Sequence, residues 1–169
     1  MFLFGPKKSG KSYIANIWQF KNRAIQYKNN FEYIIKNNLN ILVDELTQES
    51  NQEEIFHIIN HCKLSNLKIL ITSNYSINEL NFSLSDLNSR LKIFVPCIIN
   101  KPDDDMLLNI LTKLFTEKQF IIHSHDIFSF ILKRANRSYE EMFFIVEKLD
   151  SLSLEKKRQL TIPLIKEIL

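Results

Sequence analysis

The stretch GPKKSGKS occupies residues 5–12, between the apolar run FLF at residues 2–4 and a segment whose apolar residues recur at helical spacing. Both glycines of the 169-residue chain, Gly5 and Gly10, lie within this stretch. The pattern GxxxxGK[ST] between a strand and a helix is typical of a phosphate-binding loop, because backbone N–H groups and the helix dipole then face an anion. The sequence therefore predicts a strand, a loop and a helix that together bind a nucleoside triphosphate.

The loop residues have distinct expected roles. Gly5 and Gly10 let the backbone wrap the phosphates, and Lys11 is expected to bridge the β- and γ-phosphates. Ser12 is expected to offer its hydroxyl to Mg²⁺. The other residues predicted to contact the nucleotide are Pro6, Lys7, Lys8, Ser9 and Tyr13. The alternative is an ordinary polar turn, in which Ser9 or Ser12 is the N-cap of the helix.

Two acids end a second apolar run, NILVDEL at residues 40–46. In a phosphate-loop protein, an Asp at the end of a neighbouring strand holds Mg²⁺ through water, and a following Glu polarises the attacking water. Asp44 and Glu45 fit these two roles. Without the loop, the same acids are explained as a solvated strand end or as N-terminal charges of the next helix, predicted at residues 47–63.

A third buried-strand pattern, LKILITSNYS at residues 67–76, also ends in small polar residues. If this strand lies between those carrying Lys11 and Asp44, Asn74 is placed to orient the water or to sense the γ-phosphate. The alternative is that Ser and Asn simply mark the turn after the strand.

Strand and helix patterns alternate through the first hundred residues. A fourth apolar run, LKIFVP at residues 91–96, predicts a strand ended by Pro96, and AIQY at residues 24–27 predicts a short edge strand. This alternation predicts an α/β fold with a parallel sheet flanked by helices. Such sheets bind ligands at the carboxyl ends of their strands, where the three polar motifs fall.

The pattern changes at about Lys101, after which no strand is predicted. The predicted helical segments cover residues 101–120, 124–135, 138–154 and 161–169. We therefore expect two domains, a nucleotide-binding α/β subdomain at residues 1–100 and a small all-helical lid subdomain at residues 101–169.

The composition is that of a globular protein without a membrane span, since 45% of the residues are hydrophobic, 24% are charged and no apolar run approaches about 20 residues. Cys62 and Cys97 lie far apart and form no metal-binding pattern, which favours a cytoplasmic protein with reduced thiols. The net charge of +3 is spread along the chain, so sequence-specific DNA binding is not expected.

These motifs, in this order and followed by a helical lid, resemble those of the AAA+ ATPases and more closely those of the DnaA branch. The segment SDLNSRLKIF at residues 85–94 is similar to the family's SR segment, in which the arginine acts on ATP held by a neighbouring subunit. Arg90 occupies that position. KKRQLTIPLIKEIL at residues 156–169 resembles the C-terminus of the Hda-type regulators, DnaA homologues without the initiator's DNA-binding domain. The resemblance covers nearly all of the chain.

The resemblance implies a cytoplasmic regulator of chromosomal replication initiation that binds ATP or ADP with Mg²⁺. With the DNA-loaded sliding clamp, such a regulator promotes hydrolysis of the ATP bound to the initiator DnaA. Arg90 is then the residue presented to the nucleotide of DnaA. The implied partners are DnaA, the clamp and other copies of the chain in a homo-oligomer.

The sequence departs from the family pattern in three places. The family's segment before the loop, which carries the clamp-binding peptide, is not found before Met1, so we expect either a fragment or clamp binding that is lost or moved. The stretch from residue 11 to 44 is short, so the second strand and helix are expected to be trimmed. Glu140 occupies the position of the lid's sensor arginine, so either Arg137, almost one turn earlier, replaces it or the site does not respond to the γ-phosphate.

Three other functions are compatible with these residues. A self-contained ATPase would use Glu45 in its own hydrolysis, and a non-catalytic nucleotide-binding module would fit the departures from the family pattern. A DNA-binding fragment of an initiator is the least favoured, because the chain has no basic stripe.

Overall fold

A computed structural model describes residues 1–122, 124 and 126–169. The chain forms two compact units, unit 1 at residues 1–100 and unit 2 at residues 101–169. The strands of unit 1 are β1 (Phe2–Phe4), β2 (Ile25–Gln26), β3 (Ile41–Val43), β4 (Ile69–Ser73) and β5 (Pro96–Ile98). Its helices are α1 (Lys11–Asn22), α2 (Phe31–Asn37), α3 (Gln52–Leu64), α4 (Ile77–Leu80) and α5 (Ser85–Leu91).

Unit 1, all of whose residues are described, contains a five-stranded parallel sheet with the order β2-β3-β4-β1-β5. The predicted parallel α/β fold is therefore confirmed, with β4 between β1 and β3. The predicted edge strand at residues 24–27 is also confirmed, as β2. Because parallel strands end at the same edge, the segments that follow β1, β3 and β4 meet there.

The two faces of this sheet bury different side chains, because successive strand residues point to opposite sides. Phe2, Ile41 and Ile71 lie on the face that packs against α2, α3 and α5. Leu3, Leu42 and Leu70 lie on the other face and contact Ala15 of α1. The apolar run of each strand is thus explained by burial on both faces.

Helix α1 confirms the predicted helix after the loop, but most of its apolar residues face outward. Ala15 is fully buried, whereas Tyr13, Ile17 and Phe20 are 72%, 41% and 86% exposed. The helical spacing of the apolar residues therefore identified the helix and not the face that packs on the sheet.

The predicted strand at residues 91–96 is wrong. Leu91 is the last residue of α5 and is buried, and β5 begins only at Pro96. Proline is tolerated there because it is the first residue of an edge strand paired only with β1, where no ladder hydrogen bond is lost. The apolar run combined a buried helix end with an exposed turn, so it did not represent a single element.

The helices of unit 2 are α6 (Asp104–Glu117), α7 (Asp126–Leu132), α8 (Tyr139–Lys156) and α9 (Ile162–Ile165). They enclose one apolar cluster, to which α6 contributes Leu111 and Phe115 and α8 contributes Met142 and Ile145. Each predicted segment overlaps one of these helices, although α8 extends to Lys156, beyond its predicted segment, and α9 is much shorter than predicted. His125, in the predicted segment at residues 124–135, lies outside the described residues.

Two long helices of unit 2 begin at capped residues. The Asp103 carboxylate accepts a hydrogen bond from the Met106 N–H at 2.8 Å, and the Ser138 hydroxyl accepts one from the Glu141 N–H at 3.1 Å. These caps satisfy N–H groups that have no partner within the helix. Among the described residues, no helix has the length and apolar composition needed to cross a bilayer.

Two phenylalanines of unit 1 provide a matched test of its core. Phe2→Ala removes a fully buried ring from β1 and is expected to lower the free energy of unfolding by about 3–5 kcal/mol. Phe20→Ala removes an 86% exposed ring and is expected to change it by about 0.5 kcal/mol or less. Urea denaturation of both variants measures the difference, and equal losses would contradict the burial described here.

Candidate functional site

The predicted phosphate loop lies between β1 and α1, at the carboxyl edge of the sheet. Gly10 is the N-cap of α1 and has a φ of 90°, and Lys8 has a φ of 61°. Gly10 makes no side-chain cap, and the Ser12 hydroxyl donates to Asp44. The alternative in which Ser9 or Ser12 is the N-cap of α1 is therefore wrong.

The two glycines are needed for different reasons. A Cβ on Gly5 would lie 2.6 Å from the Ile99 carbonyl oxygen, which is too close for any side chain. At Gly10 no heavy atom lies within 4 Å of the Cβ position, and the constraint there is the left-handed backbone. The chain's own backbone at Ile99 thus explains Gly5, while the space beside Gly10 is open to a ligand.

Lys11 is held against its own loop and is only 8% exposed. Its ammonium donates to the Gly5 carbonyl at 3.0 Å and to the Pro6 carbonyl at 2.7 Å. Burial lowers the pKa of Lys11, and the nearby Glu45 and Asp44 carboxylates act in the opposite direction. Since an ammonium has three donors, one N–H beyond these two contacts can serve a ligand.

The predicted acids follow β3 and lie beside the loop. The Asp44 Oδ1 atom accepts a hydrogen bond from the Thr72 hydroxyl at 2.6 Å and a longer one from the Ser12 hydroxyl at 3.4 Å. The structure therefore brings together Ser12 and Asp44, the two residues predicted to hold Mg²⁺. Helix α3 begins only at Gln52, so neither Asp44 nor Glu45 is an N-terminal charge of that helix.

Glu45 is held by the polar end of β4. It has a φ of 63°, and its N–H donates to the Thr72 hydroxyl at 2.8 Å. The Asn74 side-chain amide donates to the Glu45 carboxylate at 3.3 Å. Asn74 thus reaches the acid that was predicted to polarise water.

Ser73 connects β4 to its neighbouring segments through hydrogen bonds with backbone atoms. Its hydroxyl donates to the Leu46 carbonyl at 2.7 Å and accepts from the Tyr75 N–H at 3.1 Å. Its carbonyl accepts from the Gly5 N–H at 3.3 Å. The sequence alone indicates no role for Thr72 or Ser73, although the spacing of Thr72 and Asn74 by two residues is a signal that both reach the same side.

The loop has the features that an anion requires. The N-terminus of α1 has no acidic residue in its first turn, and the Gly10 backbone is exposed there. The buried Ser9 hydroxyl oxygen has no hydrogen-bond partner among the described residues. These observations, together with Lys11, fit the binding of a phosphate group. Of the other predicted contacts, Pro6 is half-buried, and the rest are exposed: Lys7, Lys8 and Tyr13.

Arg90 lies far from this loop within unit 1. It lines a cavity of about 350 Å³ together with Met1, which precedes β1, and Ile69, which begins β4. These residues mark the amino edge of the sheet, opposite the edge that carries Lys11. Among the described residues, no carboxylate lies within salt-bridge distance of Arg90.

Arg137 is engaged within unit 2. Its guanidinium forms a salt bridge with Asp104 at 3.2 Å, and both side chains are largely exposed, so the pair adds little stability. Glu140, at the position of the family's sensor arginine, is exposed in the first turn of α8. The role predicted for Arg137 stays a prediction.

The match to a known protein family falls in unit 2. The family described as "Hda, lid domain" matches residues 104–169. An uncharacterized protein of Haemophilus influenzae is 27% identical over 99% of the chain and 80% of its own length. The initiator protein DnaA of Buchnera aphidicola subsp. Cinara cedri is 28% identical over 99% of the chain, which spans only 40% of that initiator.

Solved structures show the same fold at lower identity. Domain III of Thermotoga maritima DnaA has a TM-score of 0.76 and 15% identity, over 100% of this chain and 82% of that one. AMPPCP-bound DnaA of Aquifex aeolicus has a TM-score of 0.66 and 18% identity, over 93% of this chain and 58% of that one. The chain therefore has the AAA+ fold of DnaA domain III with a helical lid, and the predicted resemblance to Hda and DnaA is confirmed.

The contact between Gly5 and Ile99 gives a test of the loop. Gly5→Ala is expected to lower the free energy of unfolding by about 1–3 kcal/mol, because its Cβ would overlap backbone that cannot move without disturbing β5. Gly10→Ala introduces only backbone strain, with an expected loss of about 1 kcal/mol. Urea denaturation compares the two variants, and a smaller loss for Gly5→Ala than for Gly10→Ala would contradict the described geometry.

Proposed function

We propose that this chain is a nucleotide-binding AAA+ regulator of the Hda type that promotes hydrolysis of the ATP bound to the initiator DnaA. The observation that carries the proposal is the position of Arg90. The arginine and the phosphate loop lie at opposite edges of one sheet, so Arg90 is out of reach of the loop in its own chain. An arginine of this kind is suited to a nucleotide held by another molecule.

The chain's own loop would hold the phosphates of ATP or ADP. The backbone of the exposed residue Gly10 and the N-terminus of α1 would face the phosphates, and Lys11 would contribute its remaining N–H. Ser12 and Asp44 would hold Mg²⁺, which when bound neutralises phosphate charge. Arg137 of unit 2 is the proposed lid contact, in place of an arginine at position 140.

Arg90 would act by stabilising charge on the phosphoryl group that is transferred in DnaA. A guanidinium is always charged and presents a planar set of donors that matches phosphate oxygens. Because Arg90 has no carboxylate partner among the described residues, it would not have to break a salt bridge before it binds the phosphoryl group. A trans-acting arginine of this type raises the rate by about 10³–10⁵.

The remaining partners follow from the resemblance to the regulators. We propose that the chain acts in the cytoplasm, that a DNA-loaded sliding clamp supports its action on DnaA, and that it assembles with other AAA+ subunits, including copies of itself. No sequence-specific DNA contact is proposed.

A second candidate function is ATP hydrolysis by the chain itself. The contact that favours it is the hydrogen bond from Asn74 to Glu45, since an oriented carboxylate beside Asp44 is what activation of water requires. In this case Glu45 would be the general base and Asn74 would orient the attacking water.

Lys11 provides the test of the nucleotide site. Lys11→Ala is expected to weaken binding of ATP and ADP at least about tenfold, because it removes a charge-assisted hydrogen bond to phosphate. Titration calorimetry in Mg²⁺ measures the affinities, with Lys21→Ala at the other end of α1 as the control. Unchanged affinity in Lys11→Ala, in a variant that still unfolds cooperatively, would exclude this loop as the nucleotide site.

Arg90 provides the test of the action on DnaA. Arg90→Ala is expected to reduce stimulated hydrolysis of DnaA-bound ATP by about 10³ or to the background rate. The measurement uses DnaA preloaded with labelled ATP, the full chain and DNA-loaded clamp. The exposed Lys92→Ala variant is the control for the loss of a nearby charge.

Stimulation that survives Arg90→Ala would refute the proposed action. Turnover of ATP by the chain without DnaA, abolished by Glu45→Gln, would instead support the second candidate function.

A further inference from the structure

We infer that Thr72 is a positioning residue that holds both acids of the nucleotide site, so that the response of this site to Mg²⁺ depends on its hydroxyl. The inference rests on the proposed nucleotide site and gives Thr72 a role in it. Thr72 is the fourth residue of β4 and is 1% exposed.

The hydroxyl of Thr72 contacts both acids at once. It donates to the Asp44 Oδ1 atom at 2.6 Å and accepts from the Glu45 N–H at 2.8 Å. The Thr72 carbonyl also accepts from the Leu46 N–H at 2.7 Å. One residue of the central strand β4 therefore fixes three successive residues after β3.

The direction of these hydrogen bonds follows from the chemistry of the groups. A hydroxyl has one proton, and an N–H can only donate, so the bond from Glu45 must use a lone pair of the Thr72 oxygen. The hydroxyl proton is then directed to Asp44, which accepts it best as a carboxylate. The Thr72 hydroxyl thus links the side chain of Asp44 to the backbone of Glu45.

The same contact orients Asp44. The Asp44 Oδ1 atom accepts hydrogen bonds from Thr72 and, more weakly, from Ser12, and these bonds restrict the rotation of the carboxylate. Restricting a ligand in this way strengthens a metal site because less freedom is lost on binding.

Glu45 depends on Thr72 for its backbone. A non-glycine residue in the left-handed region is strained, and the hydrogen bond from its N–H helps to keep it there. The carboxylate of Glu45 then lies within reach of the Asn74 amide. Removal of the Thr72 hydroxyl would therefore remove one hydrogen bond from the Asp44 carboxylate and one from the Glu45 backbone.

Ser73 provides a matched control next to Thr72. It is also buried and hydrogen-bonded, but its hydroxyl contacts the Leu46 carbonyl and the Tyr75 N–H and touches neither acid. If buried hydroxyls in β4 have only a structural role, Ser73→Ala and Thr72→Val will both lower the unfolding temperature and leave the gain in ATP affinity from Mg²⁺ unchanged.

The experiment measures ATP affinity with Mg²⁺ and with EDTA, together with thermal unfolding, in the full chain and in four variants. Thr72→Val is expected to reduce the gain in affinity from Mg²⁺ about tenfold, and Thr72→Ser to retain it. Ser73→Ala is expected to lower the unfolding temperature and leave the Mg²⁺ gain unchanged. Thr72→Cys, a weaker donor, is expected to lie between Thr72→Val and Thr72→Ser.

The outcomes separate this inference from the proposed function. If the unsubstituted chain binds ATP and Thr72→Val keeps the full Mg²⁺ gain, the positioning role is overturned and the nucleotide site stands. If Thr72→Val does not fold, equal Mg²⁺ gains in Thr72→Ser and Thr72→Cys overturn the role. If the unsubstituted chain binds no ATP under either condition, the proposed function fails and the inference fails with it.

Discussion

The position of β4 between β1 and β3 is the constraint on which the rest of unit 1 depends. This order places Thr72, Ser73 and Asn74 between the phosphate loop and the two acids, because parallel strands end at one edge. Ser73 accepts from the Gly5 N–H through its carbonyl, while Thr72 contacts Asp44 and Glu45. The polar end of one strand therefore sets the relative positions of the cationic and anionic halves of the site.

Much of this arrangement could be predicted because it depends on the order of the motifs along the chain and on the spacing of the apolar residues. Apolar runs of strand length predicted β1, β3 and β4. The polar residues after each run predicted that the site lies at the carboxyl edge of the sheet. The rest depends on tertiary contacts that no local pattern reports. The predicted strand at residues 91–96 is wrong because Leu91 is the buried last residue of helix α5. The glycine at position 5 is explained by the distant Ile99 carbonyl.

The two edges of the sheet carry different electrostatic groups, and this separation gives the proposed function its physical basis. At the carboxyl edge, Lys11 is buried near Asp44 and Glu45, and its ammonium already donates to two carbonyls. At the amino edge, Arg90 has no carboxylate partner among the described residues. A cation held by its own loop suits a ligand of the same chain, whereas an unpaired guanidinium at the opposite edge suits a ligand of another molecule.

The residues of unit 1 with buried polar or charged side chains lie at the proposed site: Lys11, Thr72 and Ser73. Lys11 is a buried lysine with a lowered pKa, Glu45 has a left-handed backbone, and the Ser9 hydroxyl is buried without a partner among the described residues. The buried ammonium of Lys11 and the unpartnered hydroxyl of Ser9 are unfavourable for folding alone, and an anion bound at this edge would compensate both. Residues at functional sites often depart from what folding stability alone would favour. The burial of Lys11, Thr72 and Ser73 beside one loop therefore fits a proposed site that serves binding and not stability alone.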